Sequence, residues 1–243
     1  MEAWGLSDPG NVRQQNQDAY RIENFDRRSM LCVVCDGMGG AKSGNIASAL
    51  AIDVFVQEVE ATRTSGMTDE QIGRMLKAGV KQANFSVYDQ AMQFSDFEGM
   101  GTTLVAAYIE GNRAFVVNVG DSRAYLLNNN GVGRITTDHS LVQVMIQRGE
   151  LTPEEARHYP GKNLITRAIG TEPVVECDLF RLQVERGDHI LLCTDGLSNL
   201  VDEQEMLFEV VHGVNRQLCC QRLLEIAKSR GAPDNVTSVL ALI

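Results

Sequence analysis

The chain has 243 residues, 44% hydrophobic and 22% charged, with a mean hydropathy of -0.14, a profile that excludes disordered and fibrous classes. Lys and Arg number 22 against 32 Asp and Glu, and the net charge of -10 opposes binding to nucleic acid or an anionic membrane surface. No apolar run approaches the ~20 residues of a membrane span, and Met1-Glu2-Ala3-Trp4 lacks a signal pattern, so the cytoplasm is the expected compartment and a monomer the default.

A chain of this size can bury roughly 70 to 75% of the surface its unfolded form exposes. It needs neither disulfides nor a structural metal to fold, so any metal ligands are expected to be functional. The six cysteines are read as reduced. Cys32-Val33-Val34-Cys35 matches C-x-x-C, but residues i and i+3 of a strand face opposite ways, which favours packing over a zinc site.

In chain order, apolar runs predict strands at 18–23 and 30–35, then a helix following Ser43 with Ile46, Ala49, Leu50 and Val54 on one face. A second helix opens at a Thr68-x-x-Gln71 capping box and runs to about Phe94, carrying Ile72, Met75, Leu76, Val80, Ala83 and Val87 at helical spacing. Strands follow at 102–109, 113–119 and 123–127. The stretch 139–171 breaks this pattern with polar and turn residues and one short helix at Thr152-Pro153-Glu154-Glu155, and reads as a surface excursion beside a site. Strands at 176–184 and 189–193, helices near Asp202-x-x-Glu205 and Asn215, and a strand at 236–243 complete the chain. Clustered strands between helical pairs point to an α+β fold with mostly antiparallel sheets. Met75, Met92 and Met145 are expected to be packing residues, and His158, His189 and His212 carry no assigned function.

The informative feature is where certain carboxylates fall. Asp36, Asp121 and Asp195 each end a predicted strand, Asp234 precedes one, and Asp18 opens one. Carboxylates gathered at one rim of a sheet are tolerable only when cations neutralise them, and hard oxygen donors suit Mg²⁺ or Mn²⁺. Two simpler readings compete. Asp36-Gly37 and Asp195-Gly196 could be hairpin turns, although neither is followed at once by an alternating strand. Residues 30–50 could form a phosphate-binding P-loop, but Ala41 stands where the second Gly belongs and Asp36 where the first does.

Taken together, Ser7-Asp8-Pro9-Gly10 with Arg13 and Asn16-Gln17-Asp18, Val34-Cys35-Asp36-Gly37-Met38-Gly39-Gly40, Gly101-Thr102-Thr103, Val119-Gly120-Asp121-Ser122-Arg123, Asp138-His139-Ser140, Thr166-Arg167-Ala168-Ile169-Gly170, Thr194-Asp195-Gly196-Leu197 and Asp234-Asn235-Val236-Thr237 resemble the motifs of the PP2C (PPM) metal-dependent serine/threonine protein phosphatases, in their compact bacterial form. The resemblance spans nearly the whole chain. It implies one domain over 1–243, built as two antiparallel sheets packed in a sandwich with helices on both sides, and a mobile flap at about 144–163 that affects substrate choice.

It further implies that Asp36 bridges two Mn²⁺ or Mg²⁺ ions, that the Gly37 carbonyl ligates one, and that Asp195 and Asp234 complete the other. Asp18 would act directly or through water, Asp121 would help hold a weaker third metal, and Arg13 would grip the substrate phosphate. The implied reaction is hydrolysis of phosphoserine and phosphothreonine in proteins by a metal-bridging hydroxide, reversing a serine/threonine kinase. Five aspartates supply half of the net charge of -10 and two divalent ions return four charges, so activity should require metal.

The chain departs from the family at Gln17, where Glu is frequent, at Met38, where some members have His, and at Ala41 and Gly44-Asn45. The leaving-group acid is left to a metal-bound water, and His139 is read as structural. The alternatives are a catalytically dead domain that binds partners and a hydrolase of small phosphate esters.

Overall fold

A continuous apolar run such as Met30–Cys35 can be buried on both faces only with a layer on either side. In the computed structural model, which describes residues 1–157, 159–213 and 215–243, and 40–42 and 157 by backbone alone, Cys32 points between two sheets while Cys35 points under helices. His158 lies outside the described residues. The C-x-x-C pair is therefore split between two cores, and all six cysteines are free.

One sheet runs β1 (Glu2–Asp8), β11 (Val236–Leu242), β10 (His189–Cys193), β7 (Arg123–Asn128), β8 (Gly131–Arg134). The other runs β2 (Asp18–Asp26), β3 (Ser29–Met38), β5 (Leu104–Glu110), β6 (Arg113–Val119), β9 (Asp178–Gln183), with β4 (Gly101–Thr102) added to the end of β3. Every pairing is antiparallel. Val34, Val105, Val116, Ile190, Leu192 and Val239 fill the space between the sheets. On the outer face of the second sheet, α1 (Gly40–Thr62) and α2 (Asp69–Gln93) bury Phe55, Leu76 and Val80 against Leu31, Val33 and Tyr108. On the outer face of the first, α5 (Asp195–Ser198), α6 (Glu203–Leu207) and α7 (Cys219–Ser229) bury Leu197, Met206 and Leu223 against Leu191 and Leu240. The expected α-β-β-α sandwich is the observed one.

Local signals account for most boundaries. Thr68 Oγ1 accepts from the Gln71 amide (3.3 Å) and Gln71 Oε1 from the Thr68 amide (2.8 Å), so α2 starts at its capping box. Asp202 and Glu205 do the same for α6, and Thr152 with Glu155 for α4 (Pro153–Arg157). The first helix begins at Gly40 rather than after Ser43, because Gly39 takes a φ of +125 that turns the chain straight from β3 into the helix. Strands β1 and β8 were not expected from sequence, and the run 102–109 is broken at Thr103. Met92 is 69% exposed and is not a core packing residue, contrary to expectation. Among the described residues, no helix is long and apolar enough to cross a membrane.

Candidate metal centre

The antiparallel register decides which residues share an end of the sandwich. The start of β2, the end of β3, the β6–β7 turn, the end of β10 and the start of β11 all lie at one rim, and each carries one of the five aspartates. Asp18 and Asp36 are direct cross-strand partners. A cleft of about 610 Å³ opens there, lined by Asp36, Gly37, Asp121, Asp195 and Asp234, with Arg13 and Gln17 on its walls and Met38, Asn163 and Ile165 at its sides.

Neither Asp-Gly pair is a hairpin turn. Gly37 continues β3, paired with Thr102, and donates its amide to the Gln17 carbonyl at 3.1 Å. A Cβ at Gly37 would lie 2.1 Å from the Gly44 carbonyl oxygen, and one at Gly196, in the first turn of α5, 1.9 Å from that of Asn235. Glycine follows each aspartate because backbone passes against backbone there. The P-loop reading falls with the same geometry, since residues 36–38 are paired strand.

Each aspartate is positioned by bonds to its backbone or side chain. The Asp36 amide donates to Thr103 Oγ1 (2.9 Å), and the Asp36 carbonyl accepts from the Thr103 amide (2.9 Å) and Thr102 Oγ1 (2.8 Å). Thr103 Oγ1 in turn bonds Ser122 Oγ at 2.7 Å, tying β3 to the Asp121 turn. His139, 7% exposed, clamps the residue before Asp121: its Nδ1 accepts from the Gly120 amide (3.1 Å) and its own amide donates to the Gly120 carbonyl (2.9 Å). Its Nε2 faces Asp178 at 3.2 Å, so His139 is structural as expected. Asp195 Oδ2 accepts from Asn199 Nδ2 at 3.1 Å, one turn along α5. Asn235 holds the facing loop, accepting from the Gln17 amide (2.8 Å) and donating to the Pro9 and Gln15 carbonyls (3.0 and 2.9 Å). Arg13 donates to Asp234 Oδ2 at 2.9 Å, both side chains being well exposed.

The electrostatics are those of an anionic cluster only partly compensated, by Arg13 at Asp234 and by Arg123 near Asp121 and Asp195. Burial, reinforced by the other carboxylates, drives Asp36 well above the usual range. Burial likewise pushes Asp18 up to about 7 despite hydrogen bonds from Thr237 and Thr194, the latter at 2.9 Å to Oδ2. Asp121 is pushed up to about 7 by burial and by Asp195 and Asp138, and Asp195 is raised by burial and Asp234. Asp18 Oδ1 is buried without a hydrogen-bond partner.

Among the described residues, no three His, Cys, Asp or Glu side chains are wrapped round a single point. Asp36, Gly37, Asp121, Asp195 and Asp234 line one cleft instead, while Asp18 is not part of its lining and faces Asp36 across the sheet, and the chemistry of these donors decides the fit. Oxygen donors desolvated beside like charges, one of them with an orphaned lone pair, suit a hard divalent cation. Thr103, Ser122, Thr194, Thr237 and Asn235 were not singled out as site residues from sequence. Ser122, Thr194 and Asn235 lie directly beside motif aspartates, but the partners of such residues are as far as 226 residues away.

The protein phosphatase 2C family model matches residues 11–226. The serine/threonine phosphatase stp of Listeria welshimeri is 38% identical over 243 residues, covering 99% of this chain and 95% of its own. The crystal structure of the serine/threonine phosphatase Stp1 from Staphylococcus aureus superposes with a TM-score of 0.93 at 36% identity, over 100% of this chain and 94% of that one. The catalytic domain of the serine/threonine protein phosphatase PstP, solved in complex with two manganese ions, superposes with a TM-score of 0.84 at 35% identity, over 99% and 97%. With the aspartate-lined cleft, the sandwich and these matches over nearly the whole length, the chain belongs to the protein phosphatase 2C family.

Proposed function

We propose that the protein is a Mn²⁺- or Mg²⁺-dependent phosphatase of phosphoserine and phosphothreonine in proteins, opposing a serine/threonine kinase. The observation that carries this reading is the delivery of five aspartates, from five strand ends, to one rim of the sandwich in a chain of this family. Asp36, the Gly37 carbonyl, Asp195 and Asp234 would hold two ions, with Asp18 in support and Asp121 toward a weaker third. Bound there, divalent ions neutralise the carboxylates, polarise phosphoryl oxygens and lower the pKa of water from 15.7 toward roughly 7.

The chain's own residues supply the rest. Thr194 and Thr237 orient Asp18, Thr102 and Thr103 fix the backbone that carries Asp36, and His139 fixes that of Asp121. Arg13, on the cleft wall and paired there with Asp234, offers a fixed positive charge to the phosphoryl oxygens, and its fork favours two of them at once. The flap at 144–163 is rooted beside the cleft, where Ser140 bridges Ile165 and the Leu141 amide donates to the Leu164 carbonyl at 2.8 Å. Asn163 and Ile165 thereby face the substrate side, so the flap shapes substrate choice. Exchanging it with no change in peptide preference would remove that role.

Release of phosphate from a phosphothreonine peptide, measured with Mn²⁺, with chelator and with Asp36→Asn, tests the whole reading. The expected result is release that disappears in both controls, with small phosphate esters turned over less efficiently than the peptide. No release from metal-loaded wild type overturns the reading in favour of a partner-binding domain, for which the comparisons offer no support. Arg13→Ala is expected to raise KM for the peptide about 10-fold or more and to lower kcat less, since it removes a charge-assisted contact worth roughly 1.5 to 3 kcal/mol.

A further inference from the structure

Among the described residues, Ala232 alone combines a side chain with a positive φ, +27, and it is fully buried. It sits in the turn between α7 and β11, two residues before Asp234 and next to Gly231 at φ +102. Left-handed backbone is costly for a residue with a Cβ and persists only where the surroundings over-determine it.

Those surroundings reach into the cleft. The Ala232 amide donates to the Ala227 carbonyl (3.2 Å), and its carbonyl accepts from the Asn11 amide (2.9 Å). Asn11 Nδ2 donates to the Lys228 carbonyl at 2.8 Å, and Lys228 Nζ pairs with Asp8 at 3.1 Å. Gly10, φ +77, is pressed onto this turn so closely that a Cβ there would lie 2.2 Å from the Asp234 carbonyl oxygen and 2.7 Å from that of Ala232. The clasp closes at its far side through Arg13 and Asp234. The Ala232 methyl joins the outer core with Leu197, Leu223 and Val236. One buried methyl is a small offset against the backbone cost, so packing alone does not explain why the turn is held there.

We propose that Ala232 is a positioning residue: its pinned, strained turn sets Asp234 and, through Asn11, the Arg13 loop in one fixed relation, organising a metal carboxylate and the phosphate-binding arginine together. The proposal rests on the reading of the cleft as a metal centre given above. Removing the Cβ relieves the strain and, although the backbone bonds stay possible, gives the turn the wider backbone freedom of glycine, which loosens its hold on the cleft. Strain relief favours the folded chain, whereas the loosening acts on the cleft.

The test is Ala232→Gly, read by thermal unfolding of the metal-free protein and by calorimetric titration with Mn²⁺. Gly66→Ala is the control, because it places a Cβ in open space at φ +76 in the distant turn between α1 and α2. We expect Ala232→Gly to keep or raise Tm while weakening Mn²⁺ binding about 10-fold, as loss of a supporting partner does at metal sites. Gly66→Ala should lower Tm and leave Mn²⁺ affinity alone. Wild-type protein that binds no Mn²⁺ overturns the reading of the cleft itself. Wild-type affinity in Ala232→Gly, a clear fall in its metal-free Tm, or equal weakening in Gly66→Ala overturns this inference and leaves that reading standing.

Discussion

Two buried carboxylate groups lie at the same end of the sandwich and are treated in opposite ways. Asp138, with a side chain 9% exposed, is met by Arg123 at 2.8 to 3.2 Å from both Nε and Nη2, and by Arg134. Among the described residues Asp18 and Asp36, directly opposite one another in their sheet, form no ion pair, and one Asp18 oxygen has no hydrogen-bond partner. The protein therefore commits two arginines to Asp138 and, among the described residues, none to Asp18 or Asp36. Desolvated charge without a protein counterion marks a place whose counterion comes from outside.

Substituting each region in turn separates the two. Asp36→Asn should abolish Mn²⁺-dependent hydrolysis, a loss of about 10³-fold or more, while the metal-free protein unfolds at the same or a higher temperature because an uncompensated charge has gone. Asp138→Asn should do the reverse, costing about 2 kcal/mol in urea unfolding because the half-buried Arg123 and Arg134 are left against a neutral amide. A destabilised Asp36→Asn, or an unaffected Asp138→Asn, would erase the contrast.

Gly37→Ala follows in size. It forces a methyl to within 2.1 Å of a backbone oxygen, so a loss of roughly 2 kcal/mol or more is expected in the same assay, together with weakened Mn²⁺ binding.

The pH response is the next largest. Folding raises the Asp18 and Asp121 pKa values from 3.8 to about 7, so the fold favours their protonated forms. That contribution is fully present below pH 3.8 and lost as pH rises through about 7. The Tm of metal-free protein should accordingly fall between about pH 4 and 7 and level off above, and the gain on adding Mn²⁺ should be larger at pH 8 than at pH 5. A flat metal-free profile would mean the cluster is already compensated.

The smallest effect belongs to the surface. The Glu205 and Arg230 side chains are about a third exposed or more, and paired, with hydrogen bonds from Arg230 and the Asp202 backbone holding Glu205 down at about 2. Glu205→Gln should change stability by about 0 to 1 kcal/mol and leave hydrolysis unaltered.

The aspartates were legible in the sequence because each sits where an apolar run stops, and a run's end is a local property. The helices were legible where a capping box announced them, as at Thr68 and Asp202. Strand β1 was not, because Glu-Ala-Trp-Gly-Leu-Ser-Asp is a half-buried edge strand whose pairing with β11 joins opposite ends of the chain. Strand β8, Gly-Val-Gly-Arg, is short, and no residue in it is buried. The hydroxyls beside Asp18 come from Thr194, between β10 and α5, and Thr237, in β11, about 180 and 220 residues further on, and spacing carries no trace of such partners. Asp-Gly was ambiguous for a different reason: the same dipeptide serves a tight turn and a close backbone crossing, and only the neighbouring chain tells them apart.

The facing of Asp18 and Asp36 across β2 and β3 also bears on how the sheet breathes. Like charges in directly opposed positions weaken a strand pair at that rung. The β2–β3 ladder is thus weakest at its cleft end and strongest in its apolar middle, a gradient of local opening built into one hairpin. Cations held in the cleft would offset that repulsion, so that amide hydrogen exchange in this hairpin would become a gauge of metal occupancy.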